Sequence, residues 1–342
     1  MPAVKDNPPV QFLVRYGVCL VPILVLLVVY GLYYRTYLEF VESSPAKVMF
    51  LTGIKPANVI TVEPRLLGED AAAMNNAAYS ARTIWSSLFF LHICISIAAL
   101  VVGIYIMQQA TRGYSARLPQ IILIIFVFYT LAQIFIFANT GSYWVVKQLL
   151  NQTIAVAAYS PFPYITNFVF LLDKIGFVAA SFLAIDAGLT LLKPASSTEP
   201  EHKHLAQQMD LLRLTLYAGT AVFITTTLMW SFTMRWAMVY IYPQNGYYYD
   251  STLALANSQL IVRGIYFSVL LAATYLPAAA IQNWRASQIA SIQKPKAPPI
   301  ERANWLKDNG LGMTPLEFLP KLVAILGPML AGSVTELFNL FQ

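Results

Sequence analysis

Residues 175–192 read IGFVAASFLAIDAGLTLL, with Lys174 directly before them and Lys193 directly after them. Apart from Asp186, no residue in this window is charged. An α-helix rises about 1.5 Å per residue, so about 20 residues cross the roughly 30 Å hydrocarbon core of a bilayer. A window of 18 residues that is closed at both ends by lysine therefore predicts a helix that spans a membrane.

Five further windows show the same pattern, in which a stretch without Asp, Glu, Lys or Arg lies between two cations. The cations are Arg15 and Arg35, Arg82 and Arg112, Arg117 and Lys147, Arg213 and Arg235, and Arg263 and Arg285. The windows hold 19, 29, 29, 21 and 21 residues, each long enough to cross a bilayer. We therefore predict an all-α fold, a polytopic transmembrane helical bundle with six spans near residues 16–34, 84–107, 118–138, 175–192, 214–234 and 264–284.

The composition identifies the solvent of this chain. Hydrophobic residues make up 58% of its 342 residues and charged residues 11%, whereas soluble domains carry about 25% charged residues. The lipid bilayer is therefore the expected partner. The net charge of +6 is explained by Lys and Arg at membrane interfaces, and no basic stripe predicts nucleic-acid binding. Two cysteines, Cys19 and Cys94, are too few for a disulfide framework.

The distribution of cations predicts the orientation. Six spans place both termini on one side, which then carries 13 Lys and Arg against 7 on the other, so the positive-inside rule puts both termini in the cytoplasm. We expect a bacterial inner-membrane protein with a cytoplasmic N-terminus (1–15), a membrane domain (16–284) with an outer loop at 35–83, and a cytoplasmic linker (285–313). Residues 143–158 fit either a helix on the outer leaflet or a re-entrant segment.

The last segment, 314–342, has apolar residues at helical spacing, among them Leu319, Leu322, Leu326 and Leu330. We predict an amphipathic C-terminal helix that lies in the cytoplasm or at the membrane interface. Its apolar face is larger than a free tail should expose, which favours contact with the leaflet or with copies of itself.

Asp186 is the first candidate for chemistry, because a carboxylate inside a membrane is costly and is by default a functional hypothesis. By residue count, His92 lies at a similar depth, and an Asp–His pair can relay protons. These two residues and Gln133 form the predicted ion or proton pathway. The alternative is structural: Asp186 is hydrogen-bonded, protonated or paired with Arg213, and His92 is a packing residue.

Other residues are assigned to packing and anchoring. Four small residues at a spacing of four predict a stripe for close helix packing, namely Gly176, Ala180, Ala184 and Gly188. Four residues near the predicted outer face are interpreted as interfacial anchors, namely Arg235, Arg263, Trp144 and Trp236.

Three functions remain open at this point. The first is a non-enzymatic subunit of a larger membrane assembly, with homo- or hetero-oligomeric partners. The second is transport, by an ion- or proton-coupled transporter or channel that uses Asp186 and His92. The third is an intramembrane enzyme, which would need a further catalytic group. Phosphate-binding, dinucleotide-binding, zinc-protease and nucleophile-elbow motifs do not occur in the sequence, so we predict neither a cofactor nor a metal.

Overall fold

A computed structural model describes residues 69–112, 165–192, 200–238, 246–312 and 315–337, with single positions at 114, 120, 124 and 127. Within these ranges all secondary structure is helical. The helices are α1 (Glu69–Ala110), α2 (Ile165–Leu189), α3 (Glu201–Met238), α4 (Gly246–Gln293), α5 (Pro299–Asp308) and α6 (Pro315–Leu337).

Three of these helices contain segments that are long and apolar enough to cross a membrane, namely Tyr79–Ala110 in α1, Glu201–Thr233 in α3 and Leu260–Gln293 in α4. The all-helical fold is thus confirmed for the described residues, and the three apolar segments are consistent with an integral membrane protein. The count of six spans is not confirmed. Of the other predicted spans, 16–34 and most of 118–138 lie outside the described residues, as do the outer segments 35–68 and 143–158. The predicted span 175–192 contributes most of α2.

The buried face of α1 follows a spacing of alternately four and three residues. It comprises Trp85, Phe89, His92, Ser96, Ala99, Gly103, Ile106 and Ala110. This is the 3.5-residue period of left-handed helix packing, in which one seam faces the neighbouring helices over its whole length. The seam packs against α3 and α2.

Hydrogen bonds show that α1 and α3 are antiparallel. The indole Nε1 of Trp85 donates to Oγ1 of Thr233 at 2.9 Å, and Nδ1 of His92 lies 3.2 Å from Oγ1 of Thr225. The threonines of α3 also bond within their own helix; Oγ1 of Thr227, for example, donates to the carbonyl oxygen of Phe223 at 2.8 Å. Such bonds satisfy hydroxyl groups that apolar surroundings would otherwise leave without a partner.

Aromatic rings join α3 to α4. Phe223 stacks on Phe267 with 4.5 Å between ring centroids and 12° between ring planes. Gly219 faces Leu271 one turn further along. The pairing of 223 with 267 and of 219 with 271 shows that these two helices are also antiparallel.

The predicted linker 285–313 is largely helical, because α4 continues to Gln293 and α5 follows at Pro299. The end of α5 has a Schellman arrangement: the backbone N–H of Leu311 donates to the oxygen of Leu306 at 2.8 Å, and Gly310, which has a φ of 71°, donates to that of Lys307. Leu311 is buried with residues of α3 and α4. The linker is therefore folded onto the ends of these helices.

The helix predicted within 314–342 is present as α6, and its position in the cytoplasm or at the interface stays a prediction. This helix packs lengthwise on α3 and α4. A Cβ added to Gly264 of α4 would lie 2.7 Å from the backbone oxygen of Pro328, and one added to Gly332 would lie 2.9 Å from that of Leu260. Glycines on both partners allow the backbones to approach, as in membrane helix pairs.

Candidate functional site

Asp186 lies in the interior of the bundle with no exposed surface. Its carboxylate faces Gly103 of α1, where an added Cβ would lie 2.8 Å from Oδ2 of Asp186. Among the described residues, neither carboxylate oxygen has a hydrogen-bond partner. A buried carboxylate without hydrogen bonds is costly, so Asp186 is the strongest functional candidate in this part of the chain.

Among the described residues, no hydrogen bond joins Asp186 to Arg213, the alternative partner predicted for it. Nη1 of Arg213 lies 2.8 Å from Oδ1 of Asp210, three residues earlier in α3. Asp210 is largely exposed. Arg213 and Asp210 can form this ion pair because residues three apart on a helix share a face.

His92 occupies a second niche, also opposite a glycine. A Cβ added to Gly176 of α2 would lie 2.6 Å from Cε1 of His92 and 3.3 Å from Oγ1 of Thr226. The His92 ring is completely buried. The imidazole therefore lies between α2 and the threonines of α3. Each of α1 and α2 thus contributes one ionisable side chain and one glycine that faces the other.

The prediction that Asp186 and His92 meet at one depth is wrong. His92 faces Gly176, which lies ten residues before Asp186 in α2, a distance of about 15 Å along the axis. The estimate assumed that Arg82 and Lys174 mark one membrane boundary. Because Gly176 faces His92, Lys174 lies level with Phe90 of α1. Phe90 is eight residues after Arg82, so Lys174 lies about 12 Å deeper than Arg82.

An apolar layer separates the two niches. It contains Ala99 of α1, Ala179 and Leu183 of α2, and Val222 of α3, all buried in one cluster. Ser96 is buried at the edge of this layer. Proton transfer requires groups within hydrogen-bond reach or joined by water, whereas the cluster between the niches is built of apolar side chains.

The four residues of the predicted stripe are all buried, but they do not pack against a single helix. Gly176 faces α1, whereas Ala180 and Ala184 line an apolar pocket between α2, α3 and α4. Gly219 and Tyr275 lie on the other walls of this pocket. The stripe thus serves several contacts of a centrally placed α2.

A buried polar cluster at the end of α2 was missed by the sequence analysis. Gln282 of α4 donates from Nε2 to the oxygen of Thr190 at 3.2 Å, to its Oγ1 at 3.1 Å and to the backbone oxygen of Gln208 at 3.3 Å. The side chain of Gln208 donates to the oxygen of Leu192, and Arg285 to that of Leu191. The bonds to Thr190, Leu191 and Leu192 satisfy carbonyls that the end of α2 leaves without helical partners. The sequence did contain a sign of this cluster, because Gln282 is a polar residue inside the apolar window 264–284.

The predicted anchors are only partly described. The guanidinium of Arg263 lies 4.2 Å from the ring centroid of Trp230, and the residue is 6% exposed, which fits a cation–π contact inside the bundle. Its role as an interfacial anchor stays a prediction. Gln133 and Trp144 lie outside the described residues, as do the side chains of Arg235 and Trp236.

No protein-family model, curated protein or solved structure matches this chain. Its function must therefore be argued from its own residues. In the described ranges, no three His, Cys, Asp or Glu residues are grouped as metal ligands would be. What these ranges do offer is one buried carboxylate, one buried imidazole and a capped helix end within a closely packed bundle.

Proposed function

We propose that the chain is a non-enzymatic subunit of a larger membrane assembly. The observation that supports this best is the separation of His92 and Asp186. Acid–base catalysis by His92 and Asp186 together would need both groups to reach the same reacting atoms, and about 15 Å along the helix axis divides this pair. Each group is instead enclosed by a helix contact in which a glycine of the other helix takes part.

The outward surface of α1 also supports a role in assembly. Within the described part of the chain, 33% of the most apolar window of α1 is buried, against 56% in α3 and in α4. Large apolar side chains point outward along α1, among them Phe90 and Val101, which are 66% and 62% exposed. Side chains on such a face pack against lipid or against a second polypeptide.

The mass of the particle in solution tests the assembly. We expect the full chain, extracted in mild detergent and measured by light scattering or native mass spectrometry, to have a polypeptide mass well above its 38.1 kDa. A monodisperse monomer of that mass, obtained both in detergent and in lipid nanodiscs, would contradict the proposal. The nanodisc measurement guards against dissociation by detergent.

One observation favours a second function, proton-coupled transport. Asp186 is completely buried, and no described atom donates a hydrogen bond to its carboxylate. Such a group can accept and release a proton as the bundle changes conformation, and ionisable residues inside membranes mark such pathways in transporters. The described surroundings supply Gly103 and Phe182 rather than further oxygens, which favours a proton over a metal cation.

Substitution of Asp186 tests transport. In sealed vesicles of the reconstituted chain, Asp186→Asn is expected to abolish proton flux, because the amide cannot carry the proton. Asp210→Asn is the matched control, since it makes the same change at an exposed position and should leave flux intact. Equal flux in the native chain and in Asp186→Asn would exclude this function, while the mass measurement would still decide the first.

A further inference from the structure

The faces of α6 are reversed relative to a helix that lies on a membrane surface. Lys321, its only ionisable residue between Leu319 and Gly332, is 2% exposed. Between Leu319 and Gly332, where side chains are described, the outward residues are all apolar: Leu319, Pro320, Leu322, Val323, Leu326, Met329 and Leu330. An interfacial helix directs its cations to water and its apolar face inward. The opposite distribution is that of a helix surrounded by hydrocarbon.

The path of α6 covers the apolar layer of its neighbours. Ala324 meets Thr220, which lies seven residues after Arg213. At the other end, Gly332 meets Leu260, close to Arg263. Since α6 begins nine residues before Ala324, or about 14 Å, it extends from beyond the level of Arg213 to the level of Arg263.

The length of α6 agrees with this path. It has 23 residues, which span about 35 Å and so exceed the roughly 30 Å of a hydrocarbon core. Glu317 and Glu336 lie near its two ends, and Lys321 is the only ionisable residue among the 18 between them. The helix therefore has the charge distribution of a span with one buried cation.

A proline inside α6 is accommodated as hydrocarbon surroundings require. Pro328 has no N–H to donate to the carbonyl of Ala324, four residues earlier. The hydroxyl Oγ1 of Thr220 lies 3.0 Å from that oxygen and 2.8 Å from the carbonyl oxygen of Leu216 in its own helix, so the two carbonyls share its single proton. One residue after the proline, the N–H of Met329 lies 3.2 Å from Oγ of Ser268. A membrane helix tolerates proline where neighbouring hydroxyl groups supply such replacements.

The outward face of α6 is continuous with those of the helices on which it packs. Leu214 and Tyr217 of α3 are exposed, as are Ile261, Ile265 and Val269 of α4. Both helices contain segments that are long and apolar enough to cross a membrane. Lipid that covers their outward residues would also cover those of α6, because all three helices run side by side over the same levels.

We propose that α6 is a further membrane span, that its outward face binds the acyl chains of the bilayer, and that its C-terminal end lies across the membrane from α5. The direction follows from the contacts: α6 runs parallel to α3, and both begin on the side where α4 ends and α5 lies. The two ends of the segment from α5 to the C-terminus are thus on different membrane faces.

Sidedness is tested with two single cysteines in the full chain, in a background with Cys19→Ser and Cys94→Ser. Asp308→Cys places the thiol in α5, where the native residue is exposed, and Gln342→Cys places it at the last residue. Sealed vesicles of uniform orientation are treated with a membrane-impermeant maleimide. We expect only one of the two variants to be labelled, and the other to react after the vesicles are permeabilised.

Depth is tested independently, with a fluorophore on Val323→Cys in the same background and bilayers whose acyl chains carry bromine. Fluorescence should be quenched at this outward position of α6 and not at Lys296→Cys, an exposed site in the connection before α5. Labelling of both sidedness variants from the same face of sealed vesicles would overturn the proposal. The absence of quenching at position 323 would do so as well, since the face would then be covered by protein or water rather than by lipid.

Discussion

Gly103→Ala is expected to destabilise the bundle, with an overpacking cost of about 1–3 kcal/mol in the free energy of unfolding. The new Cβ would lie 2.6 Å from Cδ1 of Phe182 and 2.8 Å from Oδ2 of Asp186. Both distances are too short for van der Waals contact, so the Phe182 ring and the Asp186 carboxylate, or the helix that carries them, must shift. The measurement is thermal or denaturant unfolding of the full chain in one defined detergent.

The control for this prediction is Gly219→Ala in α3. Both substitutions gain about 1 kcal/mol of helix propensity, so a comparison of the two isolates the contact. At position 219 the nearest atom is Cδ2 of Leu271 at 3.1 Å, the mobile end of a side chain beside a pocket. We expect its melting temperature to equal or exceed that of the native chain. The same decrease in both variants would show that the Gly103 contact has no special cost.

A double substitution locates the strain. Phe182→Ala removes the ring that lies closest to the added methyl group, so the loss in Gly103→Ala should be smaller in that background than in the native chain. Residues in direct contact show such coupling, whereas distant residues contribute additively. Strict additivity would mean that Gly103 and Phe182 do not act on one another.

The sequence predicted the membrane class well, because a hydrocarbon core imposes a length that can be counted between charged residues. It also singled out Asp186 and the buried stripe from Gly176 to Gly188, since a charge and a row of small residues stand out in an apolar window. These are properties of one helix at a time. They need no knowledge of how helices are placed relative to each other.

Relations between helices could not be read from the same patterns. The depth of His92 was counted from Arg82 and that of Asp186 from Lys174, yet these two cations lie about 12 Å apart along the helix axes. The tail was interpreted as a cytoplasmic or interfacial helix from the helical spacing of its apolar residues, and only the fold shows that Lys321 is buried. Offset and burial depend on packing, which the hydrophobic pattern of a single helix does not encode.

The glutamines at the end of α2 show a third kind of limit. Gln208 and Gln282 are uncharged, so a scan for ionisable residues passes over them. Their importance arises from the carbonyls that they meet, and those carbonyls become identifiable only when the end of α2, at Leu189, is known. Buried amide side chains in apolar windows deserve the same attention as buried charges, because each must find partners.

Gln282→Leu is expected to be among the most destabilising single substitutions in the described bundle. It removes the amide that donates to the carbonyl oxygen of Thr190, just past the end of α2, and a buried carbonyl left unsatisfied costs about 1–3 kcal/mol. Leucine fills a similar volume, so the loss comes from the hydrogen bonds rather than from a cavity. The measurement is again unfolding of the full chain in detergent.

Gln288→Leu is the matched control, since it makes the same change on the same helix at an exposed position and should alter stability by no more than about 0.5 kcal/mol. Hydrogen exchange separates a local effect from a global one. In Gln282→Leu, the amide of Thr190, which donates to the oxygen of Asp186 at 3.0 Å, should exchange faster together with those of Leu191 and Leu192, while the middle of α1 stays protected. Unchanged exchange at these three amides would show that the cluster does not hold the end of α2. Faster exchange would tie the polar cluster to the helix turn that carries Asp186.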